Sequence, residues 1–117
     1  MRLLQQERIG RLGLSVGSLP VILPVNYVVD GATILFRSEE GEKTHAAEQG
    51  SVACLEIDWI DRFEHDGWSV MATGRLAIVP PERAEAYARF PLVPWALRGE
   101  NRLIELGIEL LSGRSIR

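Results

Sequence analysis

The chain has 117 residues, 46% hydrophobic and 25% charged, with a formal net charge of −3. That is enough for one buried core and too little for two domains, and the acidic balance gives no general attraction to nucleic acid or to an anionic membrane. No apolar run reaches the roughly 18 residues of a membrane span, the N-terminus has no signal-peptide core, and a single cysteine, Cys54, excludes an intrachain disulfide, so a cytoplasmic location is expected.

Most segments read as strands. Arg8–Val16 alternates, with Leu12, Leu14 and Val16 on one face and Arg11, Gly13 and Ser15 on the other. A turn is expected at Ser18-Leu19-Pro20, followed by a near-continuous apolar run, Val21–Val29, of the kind buried on both faces. Pro24 conflicts with a central strand because it cannot donate to a ladder, so it predicts a bulge or an edge. Asp30-Gly31 marks a hairpin turn, and Thr33–Arg37 returns antiparallel.

Glu42–Gln49 predicts a short helix stopped by Gly50. Ser51–Ile57 is a strand with Val52 and Cys54 on one face and Ala53, Leu55 and Ile57 on the other. Asp58–Asp66 reads as a loop. Gly67–Val79 is the longest strand, with Trp68, Val70, Ala72, Leu76 and Ile78 sharing a face and Gly74 marking a bend. Pro80-Pro81 ends it and starts a helix over Glu82–Phe90. Pro91–Glu100 is a connector, and Arg102–Leu111 a last strand with Ile104, Leu106, Ile108 and Leu110 inward and Glu105 and Glu109 outward. The expected class is therefore mainly β, a small antiparallel split β-barrel of about six strands with two short helices.

Three groups of residues carry candidate chemistry. Arg37 and Ser38 end a strand, and the loop after them enters a helix whose first turn holds Lys43, which is the chemistry a phosphate monoester needs. The same cations also read as solvated partners of Glu39, Glu40 or Glu42. Asn26 and Tyr27 interrupt an apolar strand, where they serve either a bound heterocycle or a backbone contact. Trp59, Trp68 and Trp95 are stacking candidates as well as core or dimer residues, with Trp68 the best placed for a ligand ring. His45, Cys54 and His65 have no metal-ligand spacing, and no Gly-x-Ser-x-Gly nucleophile motif occurs.

Taken in order, Arg8-Ile-Gly-Arg-Leu, Pro24-Val-Asn-Tyr-Val, Ile34-Leu-Phe-Arg-Ser with Gly41-Glu-Lys, Gly67-Trp-Ser-Val with Thr73-Gly-Arg, Pro94-Trp and Ser112-Gly-Arg resemble the pyridoxamine 5'-phosphate oxidase-like, FMN-binding split-barrel family. The resemblance implies a homodimer with two FMN molecules at the interface and a small-molecule substrate. It lays the flavin ring along Leu23–Tyr27, with Pro24, Val25, Asn26 and Tyr27 as contacts, and the phosphate at Phe36, Arg37, Ser38 and Lys43. Trp68 and the Arg114 region come from the partner. Family members usually begin with a helix, where only Met1–Glu7 is available here, and authentic pyridoxamine phosphate oxidases carry a C-terminal extension that these residues lack. The expectation is thus an FMN-dependent oxidoreductase other than a vitamin-B6 oxidase. A deazaflavin-dependent reductase and a non-catalytic flavin- or haem-binding module are the alternatives.

Overall fold

Among the described residues, seven strands form one antiparallel sheet in the order β2-β1-β5-β6-β7-β4-β3. They are β1 (Ile9–Val16), β2 (Leu19–Asn26), β3 (Val28–Asp30), β4 (Thr33–Ser38), β5 (Val52–Asp61), β6 (Asp66–Ile78) and β7 (Arg102–Ile116). Helix α1 (Glu42–Glu48) links β4 to β5, and α2 (Pro81–Ala84) with a 3-10 turn (Glu85–Tyr87) follows β6. The structure is a computed structural model and describes Leu4 and residues 9–38, 41–87 and 102–116. The Pro91–Glu100 connector with Trp95, the Ala88–Phe90 end of the expected second helix, Glu39, Glu40 and all of Met1–Arg8 except Leu4 lie outside the described residues.

The expected split-barrel class is borne out, with one more strand than the sequence suggests. The apolar run Val21–Val29 does not continue as one strand. It breaks at Tyr27, and its two parts become opposite edges of the sheet. Tyr27 is 2% exposed, and its hydroxyl donates a 2.7 Å hydrogen bond to the carbonyl of the fully buried Leu4. The sheet curls until β2 touches β4 without pairing to it, which leaves a split between the two edges.

Local signals account for the turns. Gly17 and Gly31 adopt φ of 57° and 61°, the left-handed conformation that tight hairpin turns require. The first turn is Gly17–Ser18, one residue earlier than expected, because Leu19 already pairs with Val16. Proline is tolerated in β2 because β2 is an edge strand, as Pro24 implied.

Alternation sets the core. Leu12 and Leu14 of β1, Leu55 and Ile57 of β5, Ala72 and Leu76 of β6, and Ile104 and Leu106 of β7 all turn inward around Phe36. Each large apolar side chain removed from water there contributes about 1.5–3 kcal/mol. A second, smaller cluster on the opposite face joins Leu35, Val79 and Leu103 beneath Ala84 and Tyr87. The pair Arg83–Glu105, 2.7 Å, ties α2 to β7 there.

Two departures matter for the site. β5 and β6 extend as a ribbon to Asp61 and Asp66, through the segment read as a loop. In that ribbon Trp59 pairs with Trp68. The second departure is a β-bulge. Gly74 pairs with Ile108 but Thr73 pairs with Leu110, so Glu109 is an extra residue in β7. A shift of one residue moves side chains to the other face. Leu110, expected inward, therefore points outward and is 69% exposed. Gly74 is required at the bulge because a Cβ there would overlap the Gly107 carbonyl oxygen.

Candidate functional site

The split brings together two of the predicted segments. β2 pairs only with β1, so its other edge faces the split along Pro24, Val25 and Asn26. β4 pairs with β3 only through Leu35, so the same holds for Phe36, Arg37 and Ser38. An unpaired strand edge presents backbone N–H and C=O groups to whatever lies beside it. Carrying the β3–β4 register back past Val28↔Leu35 sets Tyr27 against Phe36 and Asn26 against Arg37, where the ladder has opened.

Side chains at the split have distinct surroundings. Val25 and Phe36 are buried in the core, so what they offer a ligand is backbone. Pro24 is exposed and Asn26 half-buried. Arg37 and Ser38 are consecutive in a strand, so their side chains leave on opposite faces: Ser38 is buried on the side of Phe36, and Arg37 is half-buried on the side of Leu35 and Leu103. Lys43, half-buried, stands in the first turn of α1 just beyond the end of β4. Arg37 at the β4 terminus and Lys43 in the first turn of α1 are thus carried by two consecutive elements.

Trp68 and Arg114 are not brought to this place within the chain. Phe36 pairs with Ile104, and Arg114 is about ten residues further along β7, roughly 30 Å at the rise of a strand. Trp68 packs against the core while Arg114, on the next row, points outward beside Ser69.

A cluster that sequence reading missed lies on the outer face of β1 and β5. Arg11 donates to Glu56 Oε1 at 2.9 Å and to Asp58 Oδ2 at 3.2 Å. Partial burial, and the hydrogen bond that a protonated Glu56 donates to the Asp58 carboxylate, push the Glu56 carboxyl above its usual value, and Arg11 opposes the rise. Asp58 and Glu56 in turn raise the Arg11 guanidinium. These residues line an open groove of about 300 Å³ with Gly13, Ile22 and Cys54. The alternation Cys54, Glu56, Asp58, Ile60 is the available signal, obscured by the polar, aperiodic composition of Asp58–Asp66. The groove adjoins the split, since Pro24 pairs with Arg11.

Comparison with known proteins extends over nearly all of the chain. Residues 1–115 match the family model described as pyridoxamine 5'-phosphate oxidase. An uncharacterized protein of Mycobacterium tuberculosis, Rv0080, is 31% identical over 119 residues, covering 97% of this chain and 78% of that protein. Among solved structures, an FAD-binding protein from Mycobacterium smegmatis superposes with a TM-score of 0.82 at 30% identity, covering 99% of this chain and 91% of that one. A conserved protein of unknown function from Corynebacterium diphtheriae gives 0.79 at 27% identity, covering 99% and 91%.

Proposed function

Because this chain belongs to the pyridoxamine 5'-phosphate oxidase family, we propose that it is a flavin-binding protein, a homodimer that holds FMN between its protomers and uses it as an oxidoreductase on a small molecule. The observation that carries the reading is the split. One of its two open strand edges, that of β4, ends at Arg37 and Ser38, and Lys43 stands in the first turn of the helix that follows.

The residues present fit such a group. Lys43 and Arg37 supply the charge that a phosphate monoester takes up through charge-assisted hydrogen bonds. The β2 edge at Pro24–Tyr27 offers backbone groups suited to the carbonyls and ring nitrogens of a planar heterocycle, and Asn26 adds a side-chain amide. When bound, the flavin supplies the electron transfer, and the protein's part is to anchor, orient and shield it. Trp68 and Arg114 contribute from the partner, because in their own protomer they are too far along the strands.

FAD is the second reading, favoured by the FAD-binding protein from M. smegmatis, to which the whole chain is similar. The visible spectrum of the purified protein, followed by fluorescence titration with FMN, FAD and a deazaflavin cofactor, tests the proposal. Flavin absorbance that survives gel filtration supports it, and the tightest binder identifies the cofactor. A haem Soret band, or colourless protein that binds none of the three, overturns it.

A further inference from the structure

The ladder between β4 and β7 ends at the pair Ser38↔Arg102. Residues directly opposite in an antiparallel pair stand about 5 Å apart and send their side chains to the same face. Phe36↔Ile104, two residues back along the same ladder, fixes which face that is, because both side chains lie in the main core. Ser38 and Arg102 therefore leave the sheet on the core side, where α1 packs against β6 and β7. Arg37 pairs with Leu103 and leaves on the other side, with the smaller cluster. The end of β4 thus carries a guanidinium on each face, and Lys43 follows in the first turn of α1.

The partners of the arginines single out the same place. Arg11 is held by Glu56 and Asp58, Arg83 by Glu105, and Arg75 donates to the Gly50 carbonyl, although all three residues are exposed. Arg102 and Arg37 are half-buried, yet neither forms an ion pair or a side-chain hydrogen bond among the described residues. Withdrawing a guanidinium from water without a counter-charge is unfavourable. Its planar fork of donors is also the group that takes two anionic oxygens at once. An anion set just beyond Ser38 meets both conditions.

We propose that Arg102 is a ligand of the cofactor's phosphate, closing on it from the Ser38 side of β4 while Arg37 closes from the other side and Lys43 from α1. This rests on the flavin reading above and adds to its anchor a residue that β7 carries to the end of β4. Arg102 binds and orients the phosphate and takes no part in electron transfer. The register of β4 against β7, and not nearness in sequence, brings it there.

Fluorescence titration of the full, cofactor-free chain with FMN and with riboflavin, which has the same ring and no phosphate, tests it. Arg102→Ala raises the FMN dissociation constant by about tenfold or more, the loss of a charge-assisted contact, and leaves that of riboflavin unchanged. Arg102→Gln, which keeps most of the side chain's length, gives the same selective loss. Arg102→Lys recovers part of it, because the ammonium keeps the charge without the fork. Equal weakening of FMN and riboflavin in Arg102→Ala and Arg102→Gln marks a structural role and overturns the proposal, as does an unchanged FMN affinity. If Lys43→Ala still loses FMN affinity in that case, the flavin reading stands without Arg102. A wild-type chain that binds neither flavin removes both.

Discussion

The hydroxyl of Tyr27 and the backbone carbonyl of Leu4 meet at 2.7 Å where the chain crosses from one edge of the sheet to the other. Both residues are almost completely buried. The contact fixes the point at which an apolar run stops being one strand and becomes the two sides of the split. Tyr27→Phe leaves that carbonyl short of a donor and should lower the unfolding free energy by about 1–3 kcal/mol. Urea denaturation measures this, and an unchanged midpoint would mean that Leu4 is held by packing alone.

The bulge makes a sharper demand on backbone space. Gly74→Ala drives a methyl group into the Gly107 carbonyl, and the destabilisation should reach the upper part of the roughly 1–3 kcal/mol range for overpacking. Gly107→Ala, with open space at its Cβ position, should change stability far less. Comparable thermal shifts for the two variants would contradict the bulge.

Lys43 should matter to cofactor rather than fold. Lys43, a half-buried residue, is at the start of α1, and Lys43→Ala should weaken flavin binding by about 1.5–3 kcal/mol, the worth of one charge-assisted hydrogen bond, with the melting temperature of the cofactor-free protein little altered. Phe36→Ala should do the reverse, costing about 3–5 kcal/mol of stability through a core cavity. Fluorescence titration beside denaturation separates the two. Equal flavin affinity in Lys43→Ala and wild type would move the phosphate elsewhere.

Glu56 provides a pH-dependent signature. Its carboxyl is raised by partial burial and by Asp58, against the pull of Arg11, so above the unfolded value the folded chain holds a proton that the unfolded chain has already released. The resulting stability is fully present below the unfolded carboxylate value of about 4.3 and is lost as pH rises through the higher folded value. The stability of the chain relative to its Glu56→Gln variant should therefore fall over that interval. Urea denaturation of both chains across the same pH range gives the comparison, and a stability difference that does not change with pH would argue against the raised Glu56 carboxyl.

What local rules govern was legible in the residues themselves. Period-two alternation placed the core faces of β1, β5 and most of β6; the glycine at Asp30-Gly31 gave the hairpin, and Pro24 announced an edge. The ordered motifs led to the family that the comparison shows. Those features depend on neighbours within a few residues, where sterics and hydrogen-bonding capacity are written in the residue type. The break at Tyr27, the face on which Leu110 stands and the meeting of Arg11 with Glu56 and Asp58 depend instead on strands 20 or more residues apart. One extra residue in β7 reverses every side chain beyond it, and its position is set by the close approach of Gly74 to Gly107 across the ladder. No window along the chain contains that information, because the constraint is the contact itself.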